Sequence, residues 1–217
     1  RYLKQRQIEE SSVDEFNIGW APAAKDSLCN FLIRRGFSSK EIILAGLGQA
    51  GYKGSLTDCF RSRIMFPISD YKGRIIGFGG RVLGDGEPKY LNTGETELFH
   101  KGHILYGLYS AIPQIRKSGF AIIVEGYTDV ISAFQGGVTN VVASLGTAFT
   151  RDQAKLLRRY TEDVVIAYDA DAAGTSATLK GMEILSENEF RVRVAPVPEG
   201  LRSEEHTSEL QSPDHLV

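Results

Sequence analysis

Glu125 directly follows the apolar run Ala121-Ile122-Ile123-Val124, and Gly126 follows Glu125. Asp169 directly follows a second run, Val164-Val165-Ile166-Ala167-Tyr168, with Asp171 two residues on. In an open α/β sheet, ligands gather outside the carboxyl ends of the strands. If these runs are neighbouring strands, three carboxylates face one crevice. Hard divalent cations such as Mg2+ prefer carboxylate oxygens and complete their shell with water and substrate phosphates. Such sites serve phosphoryl and nucleotidyl transfer, where charge builds on the attacking and leaving oxygens. Asp129 comes four residues after Glu125, one turn into the next segment, and is a fourth candidate for the crevice. A lone D-x-D run often only caps a helix. An apolar run ending in Glu-Gly, paired with one ending in Asp-x-Asp-Ala-Ala-Gly, is far more specific.

Four short apolar runs rich in β-branched residues read as buried strands: Ala121–Val124, Asn140–Ala143, Asp163–Tyr168 and Arg191–Ala195. Helix-length stretches lie between them, at about Thr128–Gln135, Thr150–Tyr160 and Ala173–Asn188. Thr150 with Gln153 three residues on has the form of a capping box. Repeated strand–helix–strand alternation predicts an α/β domain with a mostly parallel four-stranded sheet. The N-terminal half reads as a mixed α+β lobe. Ser38–Gly46 is a short capped helix closed by glycine, and Arg63–Ile68 with Arg74–Phe78 form a hairpin around Gly73. Gly77, Gly79 and Gly80 in its second strand predict bulges or the close approach of another backbone. Pro113 is expected to mark a break near the domain boundary.

The chain has 217 residues, 42% hydrophobic and 24% charged, which is globular composition. No apolar run approaches the ~20 residues of a membrane span. The start, RYLKQRQIEE, has neither initiator Met nor signal or transit pattern, so a cytoplasmic protein, or an internal piece of one, is expected. Two distant cysteines, Cys29 and Cys59, argue against a disulfide framework or a Cys-rich zinc site. The net charge of −2 conceals +5 over residues 1–118 and −7 over 119–217, an asymmetry that hints at nucleic-acid or metal chemistry. His100 and His103 read as core or surface histidines, and Tyr71, Tyr90, Tyr106 and Tyr109 as packing residues more than base-stacking ones. Residues 201–217 continue no periodicity and have the look of translated adapter sequence, so a non-native tail is expected there.

The segment AIIVEGYTDV resembles the strand–Glu-Gly-Tyr-x-Asp–helix motif of Toprim domains, and VVIAYDADAAG resembles their second motif. Toprim domains occur in primases, topoisomerases, some nucleases and a recombination mediator. CFRSRIMFPISDYKGRIIGFGGRVL, PKYLNTGETELFHKGHILYGL, YLKQRQIEESSVDEFNIGWAP and ASLGTAFT look like the catalytic core of bacterial replicative DNA primases. The resemblance runs over about residues 2–200 in the family's motif order. Three positions depart from the family: Gln7 stands where Gly is usual, Cys59 where Arg is frequent, and Ala170 where Gly is commonest.

The resemblance implies a primase lobe at 1–118, a Toprim domain at 119–200, and nucleotidyl transfer with Mg2+ or Mn2+. It makes Glu125 a metal ligand or general base, Asp169 and Asp171 metal ligands, and Asp129 a supporting acid. It makes Arg6, Arg61, Arg63, Lys89 and Lys101 the basic residues of a groove for template, primer and incoming NTPs, where phosphates need Lys/Arg contacts. The implied activity is synthesis of a short RNA primer on single-stranded DNA by a protein expected to be monomeric. Primases of this kind also carry a zinc-ribbon domain and a C-terminal domain that binds the replicative helicase, and neither is in this sequence. A further Asp-Pro-Asp-type acidic run expected after the fourth strand has no counterpart before the sequence turns into the polar tail. The alternatives are another Toprim enzyme, a topoisomerase or a nuclease, and a non-catalytic nucleic-acid-binding piece.

Overall fold

The computed structural model describes residues 2–51, 54–84, 86–146, 148–168 and 172–195, the side chains of 172–177 aside. Two four-stranded sheets organise these residues. The first is antiparallel, in the order β1 (Gly19–Ala21), β4 (Arg63–Ser69), β5 (Ile75–Val82), β6 (Tyr90–Asn92). A two-stranded ribbon, β2 (Gly48–Ala50) with β3 (Leu56–Asp58), stands beside it, with the short helices α1 (Tyr2–Gln5), α2 (Glu10–Glu15), α3 (Ser27–Arg34) and α4 (Ser39–Leu44). The Ser38–Glu41 capping box forms as its spacing predicts.

The second sheet is parallel throughout, in the order β10 (Arg191–Val194), β9 (Asp163–Ile166), β7 (Phe120–Val124), β8 (Val141–Ala143). Its connections are α6 (Tyr127–Gln135), α7 (Arg151–Leu157) and α8 (Ala172–Glu187), and α5 (Leu108–Ser118) precedes it. The parallel sheet expected from the apolar runs is therefore present, with both faces covered as such sheets require. Ile122, Val124 and Val165 face a core that contains Val130 and Ile131 of α6 together with Ile64, Phe66 and Ile68 of β4. Ala121, Ile123, Val164 and Ile166 face the opposite core, with Leu108, Ala111 and Ile115 of α5 and Leu157 of α7. The two sheets thus share one hydrophobic core.

Two local expectations need correction. Pro113 lies inside α5 rather than at a break. It removes one helical hydrogen bond, yet Ala111 and Ile115 on either side are fully buried against the parallel sheet and hold the helix together. The glycines of β5 are approached by side chains, not by another backbone. A Cβ at Gly77 would meet the Phe99 ring at 2.7 Å, and one at Gly80 would meet Phe60 and Arg63 at 2.9 Å. The hairpin register shifts where Ile68 pairs with Gly77 and Ser69 with Ile75, so the extra residue, Ile76, lies in β5 beside Gly77, as the glycines of that strand predict.

Candidate active site at the carboxyl edge of the parallel sheet

From β8 the chain crosses over β7 to form β9, so β7 and β9 flank a topological switch point, where open α/β sheets bind ligands. Phe120 pairs with Asp163 and Ile123 with Ile166, and the Ala167 N–H donates to the Ile123 carbonyl at 2.9 Å. Carried two residues further, that register sets Glu125 beside Tyr168. The two groups do interact. Burial pushes the Tyr168 phenol above its ordinary range, and the Glu125 charge pushes it further the same way. A hydrogen bond between the side chains of Tyr168 and Ser144, the residue after β8, acts in the opposite sense. Asp169, the next residue in the chain, lies outside the described residues, as do Asp171, Ala170 and the tail 201–217. Among the described residues no group of three His, Cys, Asp or Glu side chains converges to hold a metal ion. Of the expected acidic residues, the described ones are Glu125, half-buried on the edge, and Asp129, also half-buried.

Asp129 is the third residue of α6, and its Oδ2 accepts from the Gly126 N–H at 2.8 Å. A carboxylate there satisfies an otherwise orphan donor and lies favourably in the helix dipole. It therefore fixes the turn that presents Glu125. Between them in sequence stands Tyr127, 5% exposed. Its ring stacks on Phe66 of β4 with centroids 5.1 Å apart and meets Tyr106 edge-on at 4.7 Å. Its hydroxyl donates to Asn92 Oδ1 of β6 at 2.6 Å, and Asn92 Nδ2 donates to the Leu145 carbonyl at 3.1 Å.

The basic candidates fall into four settings. Arg6 follows α1, half-buried, with its guanidinium 5.7 Å over the Tyr2 ring. Arg61 and Lys89 are exposed just before β4 and β6. Arg63 differs from the expectation of an open groove contact: it is 6% exposed. Its Nη1 donates to the carbonyls of Pro88 at 2.8 Å, Gly80 at 3.2 Å and Lys89 at 3.5 Å. Burial pushes its pKa down, but a guanidinium stays charged. Arg63 thus ties down the segment that carries Lys89. Lys101 opens a 3-10 turn (Lys101–His103). Its N–H donates to Glu95 Oε1 at 3.1 Å, and its carbonyl accepts from Gln153 Nε2 of α7 at 3.3 Å. His100 and His103 are surface residues paired with Glu95 and Asp152.

Three residues at this site have no role assigned to them by the sequence, although Tyr127 is the tyrosine of the Glu-Gly-Tyr-x-Asp motif. Arg81 lies 3.8 Å over the Tyr2 ring and 5.7 Å from that of Tyr90. Asn92 and Tyr127 link the two sheets. The glycine-rich strand β5 was the available clue, because a Cβ at Gly79 would lie 2.4 Å from Tyr127.

Residues 1–112 match the model of the DNA primase catalytic core, N-terminal domain. The chain belongs to the DNA primase catalytic core family. Residues 122–205 match the Toprim-like model. Among curated proteins, the DNA primase of Clostridium acetobutylicum is 48% identical over 200 residues, which cover 92% of this chain and 33% of that one. The DNA primase of Halalkalibacterium halodurans is 44% identical over 206 residues, covering 94% and 34%. The chain therefore spans about a third of the length of these relatives. Among solved structures, the Aquifex aeolicus primase, with its zinc-binding and RNA polymerase domains, superposes with a TM-score of 0.89 at 38% identity, over 96% of this chain and 51% of that one. A DnaG primase catalytic domain bound to single-stranded DNA superposes at 0.83 and 38% identity, over 97% and 67%.

Proposed function

We propose that this chain is the polymerising core of a bacterial primase, which copies a single-stranded DNA template into a short RNA primer from NTPs. The observation that carries the reading is the β7–β9 register, with Glu125 beside Tyr168 at the switch point of a primase-type fold and Asp169 next in the chain. We read 1–118 and 119–200 as its two lobes, α5 being the part of the first that packs on the sheet of the second.

In this reading Glu125, Asp169 and Asp171 hold Mg2+ or Mn2+. Hard carboxylate oxygens on adjoining strand ends are donors of the right chemistry for those ions. When bound, the metal supplies charge neutralisation at the phosphoryl oxygens. The protein's own contribution is to aim that edge. Asp129 holds the Gly126 amide and so the direction of Glu125. Arg6, Arg61, Arg81, Lys89 and Lys101 supply the phosphate contacts along the template and incoming nucleotide. The bond broken joins the α- and β-phosphates of the NTP, the bond formed joins a 3′-oxygen to the α-phosphorus, and pyrophosphate leaves. We place this activity in the cytoplasm, with the zinc and helicase-binding functions in parts of the whole protein outside this sequence.

The test is primer synthesis on single-stranded DNA with labelled NTPs, run alongside plasmid relaxation and nicking, for this chain and for a native-length relative. Glu125→Gln removes a ligand charge worth several kcal/mol of transition-state stabilisation. It should lower synthesis by about a thousandfold and leave affinity for single-stranded DNA within about twofold. Full synthesis by Glu125→Gln, or nicking without synthesis by the unaltered chain, would refute the assignment.

A further inference from the structure

We infer that Tyr127 is a positioning residue, which sets Glu125 by bolting the Glu125–Gly126 turn to the antiparallel sheet of the other lobe; this rests on the metal reading above. Tyr127 begins α6 two residues after Glu125, so any shift of its ring moves the turn that carries the carboxylate. The ring is held on three sides: Phe66 stacks parallel to it at 5.1 Å, Tyr106 meets it edge-on at 4.7 Å, and Gly79 leaves it room. A Cβ at Gly79 would lie 2.4 Å from the phenol, so a glycine is what lets the ring seat against β5.

The polar end is fixed as closely as the apolar one. The hydroxyl donates to Asn92 Oδ1 at 2.6 Å, and the same amide donates through Nδ2 to the Leu145 carbonyl at 3.1 Å. Leu145 follows β8 by two residues and Glu125 follows β7 directly. One side chain from β6 therefore ties down two of the loops on the carboxyl edge. Lys89 immediately precedes that strand. The same short strand thus connects a phosphate-binding candidate to the acidic edge. Burial alone would be served by phenylalanine. The hydroxyl and its amide partner add a fixed depth and rotation, which carboxylates that must converge on one ion require.

The experiment compares Tyr127→Phe, Asn92→Leu, their double variant and Gly79→Ala with the unaltered chain and with Glu125→Gln. The free Mn2+ signal in electron paramagnetic resonance gives Mn2+ half-saturation, fluorescence anisotropy gives single-stranded DNA affinity, and scanning calorimetry gives the melting temperature. Tyr127→Phe keeps both ring contacts and loses only the bond to Asn92. It should raise Mn2+ half-saturation about fivefold or more, with DNA affinity within twofold. Asn92→Leu should do the same, the double variant should add little to either, and Gly79→Ala should act in the same direction by displacing the Tyr127 ring with residue 127 itself unaltered. Half-saturation within twofold of the unaltered chain in Tyr127→Phe, while Glu125→Gln abolishes Mn2+ binding, would overturn the positioning role and leave the metal reading standing. A lowered melting temperature with unmoved half-saturation would overturn it too, since that is what packing alone predicts. Glu125→Gln binding Mn2+ like the unaltered chain would overturn both.

Discussion

Arg63 offers the sharpest contrast between a phosphate contact and a structural cation. Arg63→Met keeps the buried hydrocarbon and removes the guanidinium. Of its three carbonyl contacts, those to Pro88 at 2.8 Å and Gly80 at 3.2 Å lie in the ordinary hydrogen-bond range, and that to Lys89 at 3.5 Å is marginal. A hydrogen bond with one charged partner contributes about 1.5–3 kcal/mol net, so two give about 3–6 kcal/mol. Relief of the desolvation of a cation 6% exposed offsets part of this, which leaves an expected loss of about 2–4 kcal/mol. With a urea slope of about 2 kcal/mol per molar, the denaturation midpoint should fall by about 1–2 M. The second measurement is affinity for single-stranded DNA as a function of salt. Each phosphate contact on a single strand contributes a slope of about 0.7 in log affinity against log salt. Exposed Lys89→Ala should lose about that slope and almost no stability. Arg63→Met, measured well below its midpoint, should keep the slope and lose stability. An Arg63→Met protein of unchanged midpoint that has lost 0.7 of slope would return Arg63 to the groove and refute the structural role.

Two further outcomes follow from backbone and charge. Gln7 takes φ of 56°, a left-handed conformation, while its carbonyl accepts from Gln135 Nε2 at 2.8 Å. Gln7→Gly relieves about 1–2 kcal/mol of strain against about 0.5–1 kcal/mol of added chain entropy. It should therefore stabilise slightly in urea denaturation, and a loss above about 0.5 kcal/mol would contradict the strain argument. The hydrogen bond from Arg191 holds the Asp163 carboxyl below its ordinary range. A depressed pKa contributes stability that is present above the unfolded value of 3.8 and is lost as pH falls through the folded one. Asp163→Asn should flatten the fall of melting temperature below about pH 4, and an unchanged acid profile would count against the pair.

What the sequence made legible follows from the range of the interactions involved. The strands of the parallel sheet were readable because each is a short apolar run, and the caps at Ser38 and Thr150 because both partners lie within three residues. The family's motifs named Glu125 and its acidic companions. The buried setting of Arg63 is not legible, because its carbonyl partners begin 17 residues downstream, at Gly80, and a basic residue at a strand start looks the same whether its guanidinium meets solvent or a carbonyl. In the sequence Gln7 is only a departure from the family, and the reason glycine suits that position appears in the dihedral angle. The strand order was not readable either. Apolar runs fix which face of a strand is buried, but nothing local says that β9 comes to lie against β7 on the side away from β8. The candidate site depends on that one adjacency. If β9 had added outside β8, the same carboxylates would end on strands two positions apart, about 10 Å at the usual strand spacing. They would then have β8 between them, and could share an ion at the 2.0–2.1 Å that Mg2+ requires of each ligand only with both side chains near full extension. The chemistry at Glu125 is thus a property of the crossover as much as of the acidic residues.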